Sequence, residues 1–362
     1  MNLIIFAQFF YPKSGGAYTY LNGILDNLSP NEYKTVYLVI KKNDLQYLKL
    51  KNNDLNVVPI LNRIPGPRTI SFLLFSIIWH KKLSRLFDKS EKNILWNPFN
   101  WGCVRKMENF ETVTTIHDLH TFTYPTDKGI IKSKINCYLV RYTIKKSDKI
   151  IAVSNFTKQE LYAHLKDYIR NKPIKVIYES YKTVGINKND KKLHINDYLF
   201  TVSSYRKQKN LEFLLRVFKN LKENYSYSGD LLIGGNIPKK YKDRLVNDCL
   251  KLGIIENVIF LGFIKDRDLY SYYKYCDCFL FPSYYEGFGL PIIEASFYGA
   301  KICTSDAASL NEFNTTEFKA NPFDLHGFSE MVIKAMNSNY TPIYNNYSWQ
   351  AAANEMLILF KK

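Results

Sequence analysis

Apolar and polar positions along this chain fall into two alternating patterns. Short continuous apolar runs at Leu3 to Phe6, Val36 to Ile40, Val57 to Ile60, Thr112 to Ile116, Leu199 to Ser203, Leu231 to Ile233, Val258 to Gly262, Phe279 to Phe281 and Lys301 to Thr304 predict buried strands. Between several of them apolar residues recur at helical spacing. After the pair Gly15-Gly16, residues Tyr18, Leu21, Ile24, Leu25 and Leu28 share one side of a helix, and further helices are predicted over Ile70 to Phe87, from Asn155 onward, after Asn210, over Leu269 to Tyr275 and over Ser348 to Phe360. This alternation predicts an α/β protein. With 362 residues the chain exceeds one ordinary core, so two domains are expected, and the polar segment after the short strand Val176 to Tyr178 is the candidate linker.

The most informative stretch is Phe279 to Gly299. Its strand is stopped by Pro282 and Ser283, Gly287 and Gly289 allow a tight turn, and Pro291 suits the first turn of a helix that continues through Ile292, Ile293 and Ala295. A glycine loop between a strand and a helix start is an anion site, because the N–H groups of the first turn and the positive end of the helix dipole face one point. Glu286 and Glu294 bracket it. A carboxylate beside a bound phosphate is tolerated where it accepts hydrogen bonds, and sugar hydroxyls supply such donors.

Charge and cysteine content narrow the picture further. The formal net charge of +17, from 50 Lys plus Arg against 33 Asp plus Glu, permits an anionic partner: nucleic acid, an acidic bilayer or a phosphorylated substrate. Cys103, Cys137, Cys249, Cys276, Cys278 and Cys303 show no paired spacing, which fits reduced thiols and a cytosolic setting. The first residues, MNLIIFAQFFYP, read as a strand rather than an export leader, and Ile70 to Trp79 is too short to span a bilayer.

The segment EGFGLPIIE resembles the donor-site signature of retaining glycosyltransferases of family four, the group 1 glycosyltransferases, whose two Glu residues stand eight positions apart. Other segments carry the same resemblance: Gly15-Gly16 after the first strand, His117-Asp118-Leu119 followed by Tyr124-Pro125, and Lys209-Asn210-Leu211. The chain departs from the pattern at Glu179-Ser180-Tyr181, where many members have Asn-Gly-Val-Asp, and at Ser203-Ser204, where many carry Gly-Arg or Gly-Thr.

The resemblance implies the GT-B architecture, two facing Rossmann-like domains. Residues 1–180 would bind acceptor, 181–197 would link, 198–345 would bind the nucleotide-sugar, and 346–362 would form a helix packing back on the first domain. It implies transfer with retention, without a cofactor or an obligatory metal. His117 and Glu286 would hold the reacting sugar. Gly15, Gly16, Ser204, Arg206, Lys209 and the Gly287, Phe288, Gly289 and Leu290 amides would line the donor, and Glu294 would hold the ribose diol. Asp266-Arg267-Asp268 spells a metal-binding Asp-x-Asp but reads as a helix start. The implied partners are a GDP- or UDP-hexose, GDP-mannose among them, and a lipid-linked saccharide of surface polysaccharide such as O-antigen or capsule. A peripheral place at the cytoplasmic membrane face is expected from the charge and from Lys81, Lys82 and Arg85 beside Phe72 to Trp79.

A nucleotide-sugar epimerase or a phosphorylase shares the architecture, but the Glu pair and the His-Asp-Leu segment disfavour both. A basic nucleic-acid-binding protein is the alternative from another class; the dispersed lysines argue against it.

Overall fold

The computed structural model describes residues 1–7, 15–47, 56–60, 90–102, 106–107, 109–181, 191–313, 316–340 and 347–362. The predicted helix over Ile70 to Phe87 with Lys81, Lys82 and Arg85, Cys103 and positions 182–190 of the expected linker lie outside the described residues. The chain divides into two units, Met1–Ser180 with Tyr347–Lys362, and Tyr181–Asn346.

The first unit is built on a seven-stranded sheet: β1 (Asn2–Phe6), β2 (Thr35–Lys41), β3 (Asn56–Ile60), β4 (Asn93–Asn97), β5 (Phe110–Ile116), β6 (Lys149–Ala152) and β7 (Ile174–Val176). Its order is β3-β2-β1-β4-β5-β6-β7 with every pair parallel, so the direction of strand addition reverses between β1 and β4. Helices α1 (Gly16–Asn27), α2 (Ile130–Lys146) and α3 (Asn155–Ile169) connect or cover the strands. Ser154 caps α3, its side chain accepting from the Thr157 amide at 3.0 Å.

The last helix of the chain, Trp349–Lys361, returns to this unit. It packs on α1 because Gly23 leaves room: a Cβ there would sit 2.3 Å from the Trp349 ring. Trp349, Met356 and Phe360 join the core formed by Tyr20, Leu21, Ile24 and Trp96, and each fully buried large side chain contributes roughly 1.5–3 kcal/mol.

The second unit repeats the plan with six parallel strands, β8 (Tyr198–Val202), β9 (Asp230–Gly234), β10 (Val258–Gly262), β11 (Cys278–Phe281), β12 (Ile302–Ser305) and β13 (Lys319–Ala320), in the order β10-β9-β8-β11-β12-β13. Its helices are α4 (Leu211–Tyr225), α5 (Lys239–Leu252), α6 (Asp266–Lys274), α7 (Leu290–Phe297) and α8 (Leu325–Asn337), which makes Trp349–Lys361 α9. Leu211, Leu214, Leu215, Val217, Phe218 and Leu221 of α4 are buried against the sheet. The reversal here lies between β8 and β11, so the loops at their carboxyl ends face the position where such sheets hold ligands.

Candidate donor site and the His117 group

In the second unit two loops meet at that reversal. The loop after β11 turns through Gly289, whose φ of 102° suits glycine and whose added Cβ would come 2.7 Å from Leu310 Cδ2. Helix α7 then begins at Leu290 with Pro291 in its first turn, and among the described residues no side chain caps its amides. The loop after β8 passes Ser203 and the exposed Ser204 and Arg206 and makes a tight turn over Lys207–Lys209. Gly235 lets the loop after β9 lie against it, since a Cβ there would fall 2.0 Å from the Ser203 carbonyl oxygen.

Asn210, in the left-handed region at φ 58°, fastens this second loop to the strand ends. Its side-chain amide donates to the Pro282 and Pro322 carbonyls at 3.2 and 2.8 Å. The Tyr284 amide donates to the Gln208 carbonyl at 3.0 Å.

These fastenings bring Lys209 and Glu286 together across 77 positions of sequence: Lys209 Nζ donates to Glu286 Oε1 at 2.5 Å, with both side chains largely buried. The same ammonium lies 4.9 Å from the centre of the Phe281 ring. The Ser283 hydroxyl stands within hydrogen-bond distance of both Glu286 Oε1 (2.5 Å) and the Gln208 carbonyl (2.8 Å). Ser309 Oγ, in turn, lies 3.0 Å from the Glu286 carbonyl and 2.9 Å from that of Phe288, holding the glycine loop from behind. A cation, a carboxylate and an uncapped helix start thus converge on one corner of the unit.

Glu294 sits farther along α7. The Tyr273 hydroxyl donates to its Oε2 at 3.1 Å. Burial pushes its carboxyl up to about 7, opposed by the Tyr273 hydrogen bond and assisted by Asp266, so the group titrates near neutrality. Asp266 and Asp268 both fall in the first turn of α6, which starts three residues before the predicted Leu269, and they complement the positive end of that helix. Among the described residues there is no group of three or more side chains suited to hold a metal ion.

The first unit places His117 directly after β5. Its Nδ1 faces Glu179 Oε1 at 2.9 Å and its Nε2 faces the Pro98 carbonyl at 2.8 Å. Both partners are acceptors, so both are satisfied only by a doubly protonated ring. Burial disfavours that charge, but the Glu179 hydrogen bond and charge, the Pro98 carbonyl and Asp118 outweigh it and raise the pKa above its ordinary value. The Asn100 side chain accepts from the His117 amide at 2.7 Å, and Tyr20 stacks edge-on against the ring at 4.8 Å between centroids. Tyr20 is itself held by Thr115 at 3.1 Å and packs against Trp349 of α9.

Sequence reasoning named His117 but missed Tyr20, Pro98, Asn100 and the role of Glu179, which it noted only as a departure from the family. Gly15, at φ 69°, and Gly16 are exposed at the start of α1. His120, three residues after His117, is buried and pairs with Asp127 at 3.1 Å.

Comparison with known proteins bears on the family and the fold. The profile described as Glycosyltransferase Family 4 matches residues 14–182, and that of Glycosyl transferases group 1 matches residues 185–351. The chain is 29% identical over 216 residues to an uncharacterized 41.2 kDa protein in the cps region of Klebsiella pneumoniae, covering 57% of this chain and 56% of that one. It is 24% identical over 267 residues to O-antigen chain mannosyltransferase B of Escherichia coli, covering 68% and 66%. The chain therefore spans between half and two thirds of the length of these two relatives.

Among solved structures, sucrose-phosphate synthase from Thermosynechococcus elongatus superposes with a TM-score of 0.74 at 16% identity, over 100% of this chain and 98% of that one. Anabaena Alr3699/HepE, solved in complex with UDP and glucose, superposes with a TM-score of 0.66 at 15% identity, over 99% and 97%. These likenesses are of fold. With the two profiles together spanning nearly the whole sequence, the chain belongs to the group 1 glycosyltransferases of family four and has their GT-B fold.

Proposed function

We propose that the protein is a retaining glycosyltransferase that moves a hexosyl group from a GDP- or UDP-linked sugar to a lipid-linked saccharide during assembly of a surface polysaccharide. The observation that carries this reading is the convergence of Lys209, Glu286 and the Gly289-started helix at the strand reversal of the second unit. Similarity to an O-antigen mannosyltransferase and to a protein of a cps region supports the biosynthetic setting. A neighbour of the same fold solved with UDP and glucose supports a nucleotide-sugar donor.

In this reading the diphosphate lies against the amides of Gly287, Phe288, Gly289 and Leu290. Lys209 meets its charge as a point cation, with the exposed Arg206 and Ser204 beside it. As the bond to the sugar breaks, charge builds on the leaving phosphate. Once the diphosphate is bound, the Lys209 ammonium and the fixed amide dipoles already face that charge as it develops, which removes the need for a metal ion. Diphosphate binding draws Lys209 away from Glu286 Oε1, and Glu286 then accepts from the sugar hydroxyls while Ser283 keeps it in place. Glu294 in its ionised form accepts from the ribose diol. His117 donates to the transferred sugar from Nε2 in exchange for the Pro98 carbonyl, with Glu179 holding the opposite nitrogen.

The test is to incubate the purified protein with a panel of UDP- and GDP-hexoses, with and without chelator, and to read the anomeric form of the product by NMR. Turnover of one donor with retention, indifferent to chelator, is expected. Inversion, or turnover that a chelator abolishes and a divalent metal restores, would refute the corresponding part of the proposal.

A further inference from the structure

Helix α2, Ile130–Lys146, is apolar on two sides. One side is spent on the core through Cys137, Leu139, Val140 and Ile144. The other is open: Ile131 is 76% exposed, Tyr138 59% and Ile135 39%, with Ile130 at the helix start 57% exposed. The spacing of Ile131, Ile135, Tyr138 and Tyr142 follows the four-three-four step of a single stripe along a helix. Tyr138 and Tyr142 stack at 6.1 Å within it.

The charges on this helix are of one sign. Lys134, Arg141 and Lys145 run along one flank of the stripe, Lys132 and Lys146 along the other, and no acidic residue stands on α2. An apolar stripe rimmed by cations on both flanks has the pattern of a helix lying in a bilayer interface, where aliphatic side chains enter the acyl boundary, tyrosines sit at headgroup level and the lysines reach anionic headgroups. Among the described residues no helix is long and apolar enough to cross a membrane, so any attachment through them is to a surface.

We propose that the exposed face of α2 docks the protein on an anionic lipid bilayer, with Ile131 and Ile135 inserted, Tyr138 at headgroup level and Lys132, Lys134, Arg141, Lys145 and Lys146 against the headgroups. The charge pattern selects this occupant over a second copy of the chain, whose identical face would set cation against cation. The inference rests on the proposed transfer reaction only for its purpose, which is to keep the acceptor-side unit beside a lipid-linked saccharide. Vesicle binding itself requires no donor.

The experiment is co-sedimentation of the full chain with vesicles of phosphatidylcholine alone and of phosphatidylcholine mixed with phosphatidylglycerol, at low and high salt. Wild type is expected to sediment with the anionic vesicles, less so at high salt, and not with the neutral ones. Each cation near such a surface multiplies partitioning by about five-fold, so the triple variant Lys134→Gln, Arg141→Gln, Lys145→Gln should bind on the order of a hundred-fold more weakly. A second variant, Ile131→Ser with Tyr138→Ser, should also lose binding, and both should keep the wild-type unfolding temperature because every altered side chain is exposed. Three results would overturn the proposal: no binding by wild type, binding indifferent to lipid charge, or variants that bind as wild type does. So would a lipid-free dimer that the serine variant dissolves, since the face would then be covered by another copy. Failure of vesicle binding leaves the transfer reaction standing, and absence of donor turnover leaves the docking face standing.

Discussion

The His117 group of the first unit and the Lys209–Glu286–Glu294 group of the second both lie at carboxyl ends of parallel strands, but they are assembled differently. Glu286 and Glu294 come from one short segment, and the strand–turn–helix that presents them is dictated by adjacent residues: Pro282 stops the strand, Gly289 takes φ 102°, Pro291 opens the helix. His117 is held by Tyr20, by Pro98 and Asn100 of the loop after β4, and by Glu179, three separate places in the chain, and Tyr20 leans on a helix that starts at Trp349. The two glutamates and their glycine turn are written locally, with Lys209 brought to them from 77 positions away. The His117 group is written by the fold, and a motif search reads only its central residue.

Several substitutions would break or sharpen that contrast. The largest effect is expected from His117→Ala, which should lower turnover by on the order of a hundredfold, about 3 kcal/mol of transition-state contact, while leaving nucleotide affinity unchanged. Steady-state kinetics beside calorimetric titration separate the two, and equal losses in both would place His117 at the diphosphate instead.

Next in size is Glu294→Ala. Loss of a charged hydrogen bond to the ribose should weaken nucleoside diphosphate binding by about 1.5–3 kcal/mol. A pH signature accompanies it. The carboxyl titrates at about 7 and only its ionised form accepts both hydroxyls, so wild-type affinity should fall as pH drops below that value. Glu294→Gln should lose this component of the pH dependence, and titrations across the neutral range decide it.

Gly289→Ala tests the local construction of the second site. A side chain at φ 102° facing Leu310 at 2.7 Å should cost about 1–3 kcal/mol, seen as a lower unfolding temperature together with weaker donor binding. Glu179→Gln tests the distributed construction of the first. The neutral amide removes the charge that keeps His117 protonated, so the imidazole should titrate lower by NMR, and the fall in activity at rising pH should begin earlier. Because the folded pKa of His117 is raised, the stability it contributes is fully present below about 6.5 and is lost as pH rises through the folded value. The variant should lack that loss.

The smallest effect is expected from Asp266→Ala and Asp268→Ala. Each removes a first-turn charge worth about 0.3–1 kcal/mol to its helix and should leave turnover intact, with or without chelator.

The same division explains what could be read from the sequence. Most strands announce themselves as apolar runs because parallel strands are buried on both faces. β4, Asn93–Asn97, does not, although every residue in it is buried between β1 and β5. Its ends are asparagines paired sideways, Asn93 Oδ1 accepting from Asn2 at 2.8 Å and Asn97 Nδ2 donating to Thr114 at 3.2 Å, and such pairings are invisible until the neighbours are known. Helix α2 escaped for the opposite reason, since apolar residues on both its faces erase the amphipathic period. At the sites, Lys209 and Glu286 were each legible from local motifs, but their 2.5 Å contact depends on Asn210 reaching Pro282 and Pro322. Glu179 was legible only as an anomaly.

The central claim is that the corner formed by Lys209 and the Gly289-started helix binds a diphosphate. It is tested most directly by titrating wild type and Lys209→Met with a nucleoside diphosphate and with the matching nucleoside. Wild type should bind the diphosphate far more tightly than the nucleoside, and Lys209→Met should lose most of that preference while binding the nucleoside as before. A variant that discriminates between the two as strongly as wild type would contradict the account.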